Sequence, residues 1–215
     1  MPDIVLISEP RVLAIEVLEC GEALVDLRGA VRVDHRRADA AGAFAHARAG
    51  VAGRLTEAQR LLPAGFELLV IEALRPPELQ RRLFDGYAGE LRRAFPEWTV
   101  DEVHRAASRW VAPVENAPHT AGAAVDLTLC SSDGVELDLG CPEAATPEES
   151  AGACYMDATN IGGEARAHRE ILRAAMTGAG FVNYPTEWWH WSYGDRYWAF
   201  VRGRPAARYG PVAGP

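Results

Sequence analysis

Two short stretches of this 215-residue chain hold side chains that can do chemistry together. In APHTAGAAVDLTL, His119 and Asp126 stand seven positions apart with Gly122 between them. An odd separation sends two side chains to opposite faces of a regular strand, so both reach one cation only if the backbone turns, and Gly122 permits a turn. The plainer alternative is a loop histidine and a strand-face aspartate satisfied by a neighbour. In YPTEWWHWSYGDRYW, Glu187 precedes His190 by three residues. Alternating aromatic residues with Pro185 just before them favour a strand that Glu187 enters irregularly. The alternative there is that the tryptophans are core and the two polar groups satisfy each other. Together the stretches supply two imidazoles, one carboxylate ligand and a spare carboxylate, the inventory of a catalytic zinc site with its fourth position open to water. Water at such a site loses a proton near pH ~7, and Glu187 would take that proton and return it to a leaving amine, worth roughly 10² to 10⁴ in rate.

The pattern H-x-x-G-x-A-x-D at His119, Gly122, Ala124 and Asp126, followed by E-x-W-H at Glu187, Trp189 and His190, closely resembles the VanX-type D-alanyl-D-alanine dipeptidases of the zinc D,D-peptidase and hedgehog-like group. An arginine-proline pair after a buried strand, here LVIEALRPPELQ with Arg75 and Pro76, is the third part, and the resemblance runs in order from about Leu55 to Trp198. It implies His119, Asp126 and His190 as ligands of one zinc ion, Glu187 as general base and Arg75 as donor to the oxyanion. It also implies hydrolysis of the D-alanyl-D-alanine dipeptide to two D-alanine, in a confined pocket that recognises a free ammonium and a free carboxylate. Read without the resemblance, Arg75 is equally a surface arginine pairing with Glu72 or Glu78. The chain departs from the family at Ala117, where a serine is frequent, and after LDLG, where a Phe-Asp pair gives way to CPEAATPEES. Ammonium recognition then falls to Glu143, Asp138 or Asp157. Two rivals follow from the same residues: a zinc D,D-carboxypeptidase or endopeptidase acting on peptidoglycan peptides, and a non-catalytic zinc-binding module.

The elements that must position these groups are legible in part. Apolar spacing predicts a helix over 48–62 with Val51, Leu55, Ala58, Leu61 and Leu62 inward, then a buried strand over 66–74. Pro76 and Pro77 open a second helix over 77–94 carrying Leu79, Leu83, Phe84, Tyr87 and Leu91. Thr99 and Glu102 form a capping box for a third, with Val103, Ala106, Ala107 and Trp110 inward. Residues 123–129 alternate, with Val125, Leu127 and Leu129 on the core face and Asp126 on the other. A helix over 163–177 with Ala167, Ile171, Leu172, Ala175 and Met176 inward precedes strand-like FVNY and WWHWSY. Residues 130–162 have weak periodicity and form a covering loop, and 203–215 a loose tail. Tyr193, Asp195 and Tyr197 are candidates to support the histidine ligand, while His35, His46, His104 and His168 take surface or packing roles. Helices and strands intersperse without a β-α-β rhythm, so the fold is α+β: one domain, a mainly antiparallel central sheet with helices on one side and the cleft on the other.

Composition narrows the partners. A formal charge of -8, with 22 basic residues scattered among 30 acidic ones, leaves no basic stripe for phosphates, so nucleic acid is not expected. No run of 18 apolar residues marks a membrane span, and MPDIVLISEPRVL lacks the basic start and cleavage site of an export signal, so the expected address is the cytoplasm. Cys20, Cys130, Cys141 and Cys154 lack C-x-x-C spacing and are expected as thiols, with a Cys141–Cys154 disulfide the alternative.

Overall fold

A computed structural model describes residues 4–212 and 214. Among them are strands β1 (Glu16–Val17), β2 (Leu24–Asp26), β3 (Arg32–Val33), β4 (His46–Arg48), β5 (Phe66–Glu72), β6 (Ala124–Ser131), β7 (Val182–Asn183), β8 (His190–Ser192) and β9 (Ala206–Ala207). The helices are α1 (Pro10–Leu13), α2 (Ala49–Leu61), α3 (Pro77–Ala94), α4 (Val100–Ala107), α5 (Gly163–Gly178) and α6 (Arg196–Val201). The central sheet runs β3-β5-β6-β8-β7, parallel between β3 and β5 and antiparallel elsewhere. The α+β class with a mainly antiparallel sheet therefore holds.

One sheet face makes the core. Leu68 and Val70 of β5 and Val125, Leu127 and Leu129 of β6 share a cluster with Val51, Leu55 and Ala58 of α2 and Leu172 and Met176 of α5. Burying each larger aliphatic side chain of this kind stabilises by about 1.5–3 kcal/mol. Two helical stripes differ from expectation. Leu61 lies half exposed at the end of α2, and on α5 the inward positions include Ala165 and Arg169 while Ala167 faces out. Arg169 is buried because its guanidinium donates to the carbonyls of Leu139, Ala153 and Tyr155. It thereby staples both ends of the central part of 130–162, which carries no helix and no strand beyond the end of β6.

Helices α3 and α4 form a smaller cluster around Tyr87, Leu91, Val103 and Val111. The capping box is made as expected: the Thr99 hydroxyl accepts from the Glu102 amide and the Glu102 carboxylate accepts from the Thr99 amide. Leu79 and Leu83 of α3 line a cleft on the other side of the sheet, and Leu83 packs against this smaller core as well.

The tail differs from the loose segment expected at 203–215. Residues 206–207 pair as β9 with β1, and Tyr209 is buried with its hydroxyl donating to Glu22. A tyrosine ring with a hydrogen-bonded tip anchors an otherwise small-residue segment; residues 213 and 215 lie outside the described positions. All four cysteines are free thiols. No helix among the described residues is long and apolar enough to cross a membrane.

Candidate metal centre

Each chemical side chain reaches the cleft for an identifiable local reason. Residues Pro118–Ala121 form a 3-10 turn ended by Gly122 at φ 63°. A Cβ at Gly122 would stand 2.7 Å from Leu24 Cδ2, so both the left-handed backbone and the close approach require glycine. This turn resolves the odd separation of His119 and Asp126. Across the sheet, Glu72, Asp126 and His190 are direct register partners on β5, β6 and β8. Glu72 joins that row through a register shift between Val70 and Glu72: Val70 faces the core opposite Leu127, yet Glu72 two residues later pairs with Asp126 on the other face. An irregularity of this kind re-aims one side chain without breaking the strand. Glu187 sits in the turn before β8, where its carbonyl accepts from the His190 amide.

Three donor atoms converge. His119 Nε2 lies 3.2 Å from Asp126 Oδ1, His190 Nδ1 lies 3.0 Å from the same oxygen, and the two nitrogens are 3.1 Å apart. His119 Nδ1 is 2.6 Å from the Ala73 carbonyl. A carbonyl only accepts, so in the neutral ring Nδ1 carries the proton and Nε2 turns a bare lone pair on the carboxylate. Burial, against the pull of Asp126, holds the His190 pKa below the ordinary imidazole value, which favours its neutral form. Lone pairs packed this closely repel unless a cation joins them. Bonds of about 2.0 Å at a tetrahedral angle separate ligand atoms by about 3.3 Å, close to the spacing found, so the centre fits zinc. Among the described residues these three form the group able to hold a metal ion.

Glu187 and Arg75 border this triangle. Glu187 Oε2 is 3.9 Å from His190 Nδ1. Burial first, then the charges of Asp126 and Glu143, push its carboxyl well above the usual range, opposed by Arg75. Arg75 is the largely enclosed partner of Glu72, not a surface arginine: Nε and Nη2 donate to the two carboxylate oxygens at 2.9 and 2.5 Å, and Nη1 donates to Gln80 Oε1 at 2.9 Å. Nη2 also stands 3.6 Å from Asp126 Oδ2.

The cleft above the centre has a volume of about 160 Å³, below the usual 300–1,000 Å³ of drug-sized sites. Arg37, Glu143 and Ala144 line it on one side, and Leu79, Leu83, Trp110, Val111 and Ala112 supply an apolar wall. Of the three acids open for ammonium recognition, Glu143 lines the cleft. Asp157 is exposed in an ion pair with Arg173, and Asp138 accepts from the Gly140 amide within its own loop. Tyr193 does not support the histidine, because its hydroxyl accepts from Arg54 and Arg208. Asp195 caps α6 through the amides of Tyr197 and Trp198, and Tyr197 packs edge-on against Tyr184, whose ring in turn meets His190. Gln80 holds Arg75 without any local sequence motif to mark it. Its signal was a polar residue in the inward stripe of α3 with Phe84, Tyr87 and Leu91.

A family model described as Peptidase_M15, D-ala-D-ala dipeptidase, matches residues 36–203. The D-alanyl-D-alanine dipeptidase of Synechocystis sp. (strain ATCC 27184 / PCC 6803 / Kazusa) is 30% identical over 220 residues, covering 87% of this chain and 88% of that protein. The protein of the same name from Escherichia coli (strain K12) is 29% identical over 127 residues, 59% of this chain and 55% of its own. The solved LD-carboxypeptidase LdcB aligns at 19% identity with a TM-score of 0.46, over 85% of this chain and 72% of that one.

Proposed function

The chain belongs to the Peptidase_M15 family of D-Ala-D-Ala dipeptidases, which are zinc metallopeptidases, and on that premise we propose that it hydrolyses D-alanyl-D-alanine to two D-alanine at the His119, Asp126 and His190 centre. The observation that carries the reading is the convergence of three donor atoms within 3.2 Å of one another. When bound, zinc supplies a concentrated charge that makes water acidic near neutral pH and polarises a carbonyl.

The chain's own residues do the rest. Glu187 is the general base, a carboxylate beside the ligand triangle but outside it, which holds the proton taken from water and passes it to the leaving amine. Its raised pKa suits that return, since a more basic carboxylate keeps the proton until the nitrogen needs it. Three of the five Arg75 donors are engaged by Glu72 and Gln80. The guanidinium is thereby fixed, and its remaining N–H groups are left for the carbonyl oxygen as charge develops on it. Arg75→Ala is expected to lower kcat by about 10² to 10³ while changing KM less. A loss confined to KM would recast Arg75 as a ground-state anchor.

The small cleft suits a dipeptide better than a peptidoglycan chain. The deciding experiment incubates zinc-loaded protein with D-Ala-D-Ala, L-Ala-L-Ala and an acylated tripeptide ending in D-Ala-D-Ala, and measures alanine release. Release from the free D,D-dipeptide alone is expected. Equal release from the acylated peptide would favour a D,D-carboxypeptidase, and no release from any would favour a zinc-binding module. In a bacterial cytoplasm the activity would withdraw the dipeptide from wall precursors, serving glycopeptide resistance or recycling.

A further inference from the structure

Folding gathers four cations that the sequence scatters. Arg54 of α2, Arg202 and Arg204 just past α6, and Arg208 just past β9 line one open groove of about 590 Å³, within the usual range of small-molecule sites. It shares no lining residue with the metal cleft. Although the chain has a formal charge of -8, no carboxylate lines this groove. Among the described residues, the one carboxylate contact of these arginines is Arg208 Nη2 at 3.7 Å from Glu22 Oε1. The other oxygen of Glu22 already accepts from the Tyr209 hydroxyl and the Gly50 amide.

Tyr193 stands at the centre of the four and is 5% exposed. Its hydroxyl accepts from Arg54 Nη2 at 2.7 Å and from Arg208 Nη1 at 3.1 Å, and Arg54 Cζ lies 3.8 Å from the ring centroid. Two donors occupy the lone pairs of such an oxygen, while its own proton meets no acceptor among the described residues. The other two arginines have donors to give. Arg202 engages Nη2 alone, at 3.0 Å from the Phe181 carbonyl. The Arg204 side chain is exposed and makes no hydrogen bond or ion pair among the described residues. Gly203, at φ 58°, makes the turn between them. Any one exposed guanidinium is ordinary solvated surface. Four of them around a buried hydroxyl that still has a proton to donate call for an acceptor with negative charge.

We propose that this groove is a second ligand site, for a small anion that carries a diphosphate group. Planar guanidinium forks match phosphate oxygens two at a time. The several negative charges of a diphosphate answer Arg202, Arg204 and Arg208 together, and the Tyr193 hydroxyl donates to one of its oxygens. A single phosphate brings fewer oxygens and less charge to the same cations. Leu18, 60% exposed, and Pro205 add apolar surface to the groove, which suits an organic group bonded to the diphosphate. The acidic balance of the whole chain favours a small anion over a polymer with repeated phosphates.

Calorimetry on the zinc-loaded full chain tests this with inorganic phosphate, inorganic pyrophosphate, ADP and UDP. Pyrophosphate is expected to bind one-to-one, about tenfold or more tighter than phosphate, and to weaken as salt is raised. Arg204→Ser disturbs no side-chain contact of the fold and should weaken pyrophosphate about tenfold to a hundredfold, with Arg204→Lys recovering part of the loss. Tyr193→Phe should weaken it as well. ADP and UDP binding more tightly than pyrophosphate would identify a nucleotide as the source of the diphosphate, and no gain would identify the free anion. Because pyrophosphate also ligates zinc, the titration is repeated on Asp126→Asn, where binding at the groove should persist. Binding that vanishes in Asp126→Asn and is unchanged in Arg204→Ser belongs to the metal centre and overturns the proposal. So does an absence of saturable binding, or an equal affinity for phosphate and pyrophosphate that ignores Arg204→Ser. None of these readouts uses peptide hydrolysis, so a failure here leaves the dipeptidase reading as it stands.

Discussion

Glu187→Gln is expected to bind one zinc per chain as the wild type does and to lose turnover by about 10² to 10⁴. The amide has the shape of the carboxyl group it replaces, and the site around it is closed, so packing has little reason to change. What disappears is the basic oxygen beside His190. Because Glu187 is not one of the three converging donors, its neutralisation removes the proposed proton carrier and leaves those donors in place. It also relieves a buried negative charge near Asp126 and Glu143, so thermal stability should hold or rise slightly. Metal content by mass spectrometry and alanine release on the same sample decide the matter. A variant that has lost its zinc would show that Glu187 is a ligand, and a variant that turns over normally would move the base elsewhere.

Much of this site is visible in the sequence because its parts follow local rules. Gly122 marks a turn that only glycine takes comfortably, and the alternation around Asp126 sends Val125 and Leu127 to the core and Asp126 to the cleft. The proline pair begins α3 at Pro77 as expected, and the third helix follows its capping box. What stayed hidden depends on pairings between distant segments. Glu72 has the same parity as Val70 and would be placed in the core by alternation; only the register shift against β6 turns it toward Arg75. Arg169 sits on an apolar stripe, where a charge looks like an exposed neighbour until the carbonyls of a distant loop supply its partners. Arg37 meets Glu143 across 106 positions of chain, and no local pattern connects them.

Replacing one of the three proposed ligands should cost the protein its metal, and three variants separate that loss from damage to the fold. His119→Ala removes a donor but also strands the Ala73 carbonyl to which Nδ1–H donates, an added cost of about 1–3 kcal/mol in a buried setting. His190→Ala removes a buried ring from the sheet and so has a packing cost as well. Asp126→Asn keeps the volume and removes the charge, so its stability without metal should stay close to that of the wild type without metal. All three should carry far less than one zinc per chain and hydrolyse no measurable dipeptide. In the wild type, free zinc at 1,000 times its Kd stabilises by about 4.1 kcal/mol, and a chelator removes that contribution. For a chain of this size, where each kcal/mol moves Tm by about 2–4 °C, chelation should lower the wild-type midpoint by roughly 8–16 °C. The same chelator should leave Asp126→Asn almost unmoved. A chelator shift of wild-type size in Asp126→Asn, or full zinc content in both histidine variants, would place the cation somewhere other than between these side chains.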